Sequence, residues 1–217
     1  MKGIKRLFIF ISITLSACTF SDKPSDFDYG AIENNQYKNK FFDFTLDVPS
    51  AWKVQSKAQT QEQAAQAAET TSELLDQPVA TEDIANATLL NVRKYDSGAL
   101  VAFNPNLIVV TENVANAANI KSGQDYLSTV KTLLSKSGHS YNHIDETLTE
   151  VKLGSIPFHV LNTTQSSMGI EINQRYYAAV INGFSLTFII SYRTRDQLEE
   201  LDTVMKTVKF GDQNLQH

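Results

Sequence analysis

The dipeptide Asn182-Gly183 constrains this chain more than any other pair of residues in it. It joins two runs of alternating apolar residues, 171–181 and 184–192. A two-residue type I′ turn needs positive φ at both central positions, and Asn-Gly is the pair that tolerates it best. The two runs must therefore fold back on each other as antiparallel strands. Runs 143–153 and 158–164 precede them with the same strand-like composition. The last third of the chain is predicted to be a meander of four antiparallel strands.

Two segments break that period with apolar residues three and four apart. Tyr126, Leu127, Val130, Leu133 and Leu134 share one face of a helix predicted over 123–136, which Ser122 caps and Gly138 ends. Leu198, Leu201, Val204, Met205 and Val208 do the same for a final helix capped by Thr194. Near the start, Phe42, Phe44, Leu46 and Val48 alternate with Asp43, Thr45 and Asp47, the pattern of a half-buried strand that Pro49 ends. Residues 88–95, 99–103 and 107–111 also read as extended. Between them, residues 57–77 shift to Ala, Gln, Glu and Thr, with a thin apolar face of Ala58, Ala65, Ala68 and Leu75. That composition predicts a lightly docked helix. Hairpins carrying segregated helices give an α+β class with a mostly antiparallel sheet.

The first eighteen residues answer a different question. Lys2, Lys5 and Arg6 precede the uncharged run LFIFISITL, which is too short to span a bilayer. A basic start followed by a short apolar stretch is the design of a secretory signal. Leu15-Ser16-Ala17-Cys18 then matches the bacterial lipobox, and Cys18 is the one cysteine in the chain. The match implies diacylglycerol on the Cys18 sulfur and removal of residues 1–17. Two or three acyl chains make a stable anchor, at about 0.8 kcal/mol per buried methylene. Thr19, in place of an Asp after the cysteine, favours the outer membrane and its periplasmic face if the host is Gram-negative.

Charge limits the partners. The chain carries 19 Lys and Arg against 24 Asp and Glu, a net charge of −5. Removing residues 1–17 takes away three basic side chains and no acidic one, leaving 16 against 24, or −8. Such a body has no basic surface for nucleic acid and is repelled by anionic headgroups. The partners expected are the membrane, through the anchor at Cys18, and an envelope protein.

Residues 18–36 lack periodicity and are rich in polar and turn residues, so they read as the lipidated cysteine and a flexible tether. The globular domain is predicted over 37–210 and a loose tail over 211–217. No strand or helix signal precedes Phe41, so a chain starting at Asn35 is expected to keep its core.

Several of these residues together carry a resemblance. Tyr37-Lys38-Asn39 leads into Phe42-Asp43-Phe44, then Val48-Pro49 and Trp52. Asn104-Pro105-Asn106-Leu107 precedes a strand, and Tyr126-Leu127 sits on the middle helix. Tyr176-Tyr177, Asn182-Gly183 and an amphipathic helix close the chain. This resembles the PsbP-like fold, an α/β/α sandwich named for an extrinsic subunit of photosystem II and shared by a Ran-binding nuclear import factor and small bacterial lipoproteins. The resemblance covers residues 37–210, and segment 57–77 departs from it. It implies a scaffold for binding or assembly, and it carries over no active site.

Chemistry is sparse. His139 and His143, with Asp145 and Glu146 nearby, lie four apart in a region read as loop and strand, where that spacing is about 13 Å and too long for one ion. No metal site is expected. Ser50-x-x-Lys53 and Ser128-x-x-Lys131 match a penicillin-enzyme motif, but its partner motifs are absent. The Gly-rich phosphate loops and the G-x-S-x-G elbow are absent as well. No catalytic or cofactor residue is assigned, and the expected function is a non-catalytic binding or assembly module. Two alternatives stay open: a lipid or small-molecule carrier lined by Phe41-Phe42, Tyr176-Tyr177 and Phe184-Phe188, and an envelope hydrolase.

Overall fold

A computed structural model describes residues 23–56, 58–62, 65, 87–136, 141–167 and 169–211. The elements run β1 (Ala31–Glu33), β2 (Gln36–Asn39), β3 (Phe44–Asp47), β4 (Lys53–Val54), β5 (Thr88–Arg93), β6 (Asn106–Asn113), α1 (Gly123–Lys136), β7 (Tyr141–Ile144), β8 (Thr149–Leu153), β9 (Ile156–Ser167), β10 (Ile170–Ile181), β11 (Phe184–Tyr192), α2 (Arg195–Met205) and β12 (Lys209–Phe210). The chain is α+β, with every strand pairing antiparallel.

The strands form two sheets where the sequence implied one. The large sheet runs β4-β5-β6-β11-β10-β9-β7, with β8 beside β7 on the outer side of β9. The small sheet runs β1-β2-β3-β12. Alternation along the central strands gives the large sheet two apolar faces. Leu107, Val109, Phe158, Leu186, Phe188 and Ile190 face the small sheet and the buried stripe of α2. Ile108, Val110, Leu161, Tyr176, Ala178 and Ile189 face Tyr126, Leu127, Val130 and Leu134 of α1. The layers are therefore α1, then the large sheet, then α2 together with the small sheet. Phe44, Phe158 and Phe188 are at most 2% exposed, and each contributes roughly 1.5–3 kcal/mol by burial.

The local signals at the hairpin and the last helix hold. Ile181 pairs with Phe184, and Asn182 and Gly183 have φ of 53° and 77°. The Gln197 N–H donates to Thr194 Oγ1 at 3.3 Å while Gln197 Oε1 accepts from the Thr194 N–H, a capping box. Gly183→Val is expected to cost about 2 kcal/mol, because a β-branched residue resists positive φ and its Cβ would stand 3.2 Å from that of Ala115. Thermal melts of parent and variant that coincide would contradict this.

Four expectations need correction. The tether does not extend to residue 36. Phe27 packs against Phe41, Phe42 and Phe184, and β1 pairs with β2, so the folded body starts well before residue 37. The run 99–103 is not extended. It sits in a loop whose neck is closed by Asn104, whose Oδ1 accepts from the Tyr95 N–H at 2.9 Å and whose Nδ2 donates to the Tyr95 carbonyl at 2.8 Å. The strand expected over 143–153 is two strands, β7 and β8. From Ile144↔Thr163 to Thr149↔Val160, five steps on one side face three on β9, so the surplus loops out at Asp145. Finally, Lys209 and Phe210 form a strand on β3, and the Gly211 N–H donates to the Asp43 carbonyl at 2.9 Å, so the tail begins after 211. Of the helix expected over 57–77, residues 58–62 and 65 are helical. The rest of it, and the stop at Gly138, lie outside the described residues.

Candidate functional site

Cys18 lies outside the described residues. The described chain starts at Lys23 and is fastened within a few residues. The Tyr37 hydroxyl donates to the Tyr29 carbonyl at 2.7 Å, and the Asn39 amide donates to the Asp28 carbonyl at 2.8 Å. The Asp28 carboxylate accepts from the N–H groups of Gly30 and Lys40 at 2.9 and 2.8 Å. Tyr37 is 1% exposed, and burial pushes its phenol far above the ordinary range. These bonds lock segment 27–30 across β2 at the end of the large sheet that carries the Asn182-Gly183 turn, where Asn182 Nδ2 donates to the Phe41 carbonyl.

An open cleft of about 520 Å³ lies between the β1-β2 hairpin and the C-terminal half of α2. Asn34 and Asn35 form the hairpin turn, with φ of 49° and 60°. Val48, Pro49 and Val204 supply an apolar floor, and Glu33, Lys38 and Asp47 supply charge at the rim. The rim groups bond to one another. Lys38 pairs with Glu33 at 3.2 Å, Gln36 Nε2 donates to Asp47 Oδ1 at 2.8 Å, and the Asp47 N–H donates to Thr207 Oγ1 at 2.9 Å. The cleft holds no nucleophile beside a base.

A second polar constellation crosses from β7 to α2. His143 Nε2 lies 3.0 Å from Asp145 Oδ1, and Asp145 Oδ2 accepts from the Asn162 N–H and Nδ2 at 2.9 and 2.7 Å. Burial raises the Asp145 pKa, but the two bonds from Asn162 and the neighbouring His143 outweigh it, so the carboxyl sits below its usual range. Asn162 Oδ1 in turn accepts from Arg175 Nε at 2.8 Å, while Arg175 Nη1 reaches the Tyr177 hydroxyl and Asp202 Oδ1, each at 3.2 Å. Burial raises the Tyr177 phenol further than Arg175 lowers it. The chain of bonds ties the looped-out turn after β7 to the face of α2.

Beneath α1, the Tyr126 hydroxyl donates to Glu112 Oε2 at 3.2 Å. Tyr176 donates to Gln174 Oε1 at 3.0 Å, and Gln174 Nε2 donates to Ser191 Oγ at 3.3 Å. Desolvation raises the phenols of Tyr126 and Tyr176 well above their ordinary value. Buried hydroxyls of this kind orient the helix on the sheet.

The remaining residues singled out in the sequence are dispersed. The Ser128 hydroxyl donates to the Gln124 carbonyl, and Lys131 reaches the Glu146 carbonyl. Lys53 pairs with Asp96. His139 lies outside the described residues. Among the described residues no group of three His, Cys, Asp or Glu converges as metal ligands. Phe41, Phe42 and Phe184 stack on one another at 4.9–6.3 Å, and Phe188 packs on Phe44 and Phe158. These rings fill core space, and none of them lines the cleft.

No protein-family model and no curated protein matches the sequence. Solved structures similar to it include a crystal structure from Bacteroides thetaiotaomicron VPI-5482, at 8% identity and a TM-score of 0.44 over 86% of this chain. This chain spans 52% of that one's length. LpqN of Mycobacterium tuberculosis, involved in cell envelope biogenesis, aligns at 12% identity and a TM-score of 0.46, over 76% of this chain and 82% of that one. Cyanobacterial PsbP (CyanoP) from Synechocystis sp. PCC 6803 aligns at 13% identity and 0.45, over 84% of this chain and 98% of that one. Each likeness is one of fold alone.

Proposed function

We propose that this chain is a bacterial cell-envelope lipoprotein, anchored through Cys18, whose folded body is a non-catalytic binding or assembly module facing the periplasm. The observation that carries the reading is Leu15-Ser16-Ala17-Cys18, which places the chain's one cysteine directly after a basic start and a short apolar run. Among the described residues no helix is long and apolar enough to cross a membrane. The fastening of the chain at Phe27, nine residues after Cys18, supports the reading further. Nine residues reach at most about 30 Å, so the body would be held close to the bilayer that takes the lipid. A binding role accords with a cleft whose rim groups bond to one another, and with aromatic rings that pack on each other.

Metabolic labelling with an acyl-chain probe tests the anchor. The parent is expected to take label, and Cys18→Ala is expected to take none, because the thioether needs the thiol. A parent that stays unlabelled, or label that survives the substitution, would exclude the lipoprotein reading.

A further inference from the structure

Asn182-Gly183 is the one Asn-Gly pair in the chain, and it carries a reaction as well as a turn. Glycine leaves the backbone nitrogen after an asparagine unshielded, so that nitrogen can attack the side-chain amide. The Gly183 nitrogen forms a bond to Asn182 Cγ, the Cγ–Nδ2 bond breaks, and the Gly183 N–H proton leaves with Nδ2 as ammonia. Water then opens the five-membered imide. Attack at Cγ restores the ordinary backbone as aspartate. Attack at the Asn182 carbonyl carbon routes the chain through Cγ as isoaspartate, which lengthens the backbone by a methylene. The net change is amide and water to carboxylate and ammonium.

The native turn holds the reacting atoms apart. Asn182 has φ of 53°, and in that left-handed conformation the next nitrogen points away from Cβ. Ring closure needs a large rotation about the Cα–C bond of Asn182. Contacts on both sides of that bond oppose it. Asn182 Nδ2 donates to the Phe41 carbonyl at 2.8 Å. The Gly183 carbonyl accepts from the Val114 N–H at 2.9 Å. Ile181 and Phe184 pair across the turn, and Phe184 is 2% exposed among Phe27, Phe41 and Phe42. Asn182 itself is exposed, so water reaches it, and the closed backbone is what limits the reaction.

The side chain that reacts is also a fastener, because Nδ2 ties the hairpin to Phe41. An ionised carboxylate in its place has only acceptors. It would face the Phe41 carbonyl oxygen where a donor now stands at 2.8 Å, and two acceptors repel. Residues 39–41 in turn receive the segment 27–30. The Phe27 ring lies 4.9 Å from that of Phe41. The Asp28 carboxylate accepts from the Lys40 N–H, and the Asn39 amide donates to the Asp28 carbonyl, each at 2.8 Å. Displacing Phe41 therefore disturbs the support on which segment 27–30 rests.

We propose that Asn182 is a deamidation site guarded by the closed turn, and that its conversion detaches Phe41 from the hairpin and loosens segment 27–30. Conversion is slow in the native protein and fast once the hairpin opens, so the modified fraction records the time that molecules have spent open. The reaction is independent of lipid on Cys18.

The first test incubates the detergent-solubilised full-length protein at mildly alkaline pH, with and without denaturing urea, and follows every asparagine peptide by mass and chromatography. In urea the peptide carrying Asn182 is expected to become aspartate and isoaspartate before any other asparagine does. Without urea it should convert at most about a tenth as fast. The second test uses Asn182→Asp, which keeps the type I′ turn because Asp-Gly adopts it too. Hydrogen exchange at the Gly30 and Lys40 N–H groups, both bound to the Asp28 carboxylate, is expected to rise roughly tenfold over the parent. Exchange at Tyr177 and Phe188, paired in the middle of the hairpin, should stay as it was. The proposal is overturned by an Asn182 that stays intact in urea, by another asparagine converting first, or by equal rates with and without urea. It is overturned as well if Asn182→Asp exchanges like the parent at Gly30 and Lys40, or if the rise extends equally to Tyr177 and Phe188.

Discussion

Gly123→Ala is expected to destabilise the protein by about 3 kcal/mol, although alanine is the better helix former by roughly 1 kcal/mol. Gly123 opens α1 and is buried against β10. A Cβ there would fall onto the Ala178 carbonyl, with the Ala178 carbonyl carbon at 2.7 Å and Ala179 Cα at 3.2 Å. These are backbone atoms of a strand held on both sides, by β9 and by β11, so they cannot yield as a flexible side chain would. The helix must move instead, and Tyr126, Leu127, Val130 and Leu134 would lose their fit to the sheet. Overpacking of this kind costs 1–3 kcal/mol and sometimes more. Propensity and sterics therefore predict opposite signs. Urea unfolding of parent and variant decides between them, and a raised midpoint would show that the helix does not approach the sheet this closely.

A chain starting at Asn35 is expected to lose about 5 kcal/mol relative to one starting at Lys23. The shorter chain lacks β1, the Phe27 ring and the Tyr29 and Asp28 carbonyls. Tyr37 and Asn39, 1% and 2% exposed, then keep buried polar groups without their main acceptors, at about 1–3 kcal/mol each. Loss of the Phe27 contacts with Phe41 and Phe184 adds roughly 1–2 kcal/mol. Against a total stability of about 5–15 kcal/mol, the shorter chain should melt at least 10 °C lower or fail to accumulate in soluble form. The chain from Lys23 should melt cooperatively and need no oxidant, as it contains no cysteine. Equal melting temperatures for the two would restore the view of residues 18–36 as a plain tether.

Where a signal is carried by residues next to each other in the chain, it was readable. Asn182-Gly183 specifies its own turn, because both positive φ values are local demands that those two residues meet. The Thr194 and Gln197 pair caps α2 across three residues. The 3.6-residue stripes of α1 and α2 and the alternation from Phe42 to Val48 are likewise properties of short windows. Each contains enough apolar side chains to define a face before any partner exists.

Tertiary structure decided what those faces meet. β1 and β12, three and two residues long, carry too little pattern to be seen. They are strands only because β2 and β3 offer free edges once the large sheet has a layer to cover. Phe27 has no periodic neighbours, and its place is set by Phe41 and Phe184, which the fold brings together from 14 and 157 residues away. Asp145 breaks a continuous strand because Asn162 on β9 presents both its N–H and its amide to one carboxylate. The loop between β5 and β6 makes the point most directly. The apolar run 99–103 reads as extended in the sequence, and hydrophobicity reports only the preference of a residue for the interior. Whether interior is available depends on strands far away in the chain. Here Asn104 closes the loop below the run, so residues 99–102 are held out in water while Phe103 alone is buried.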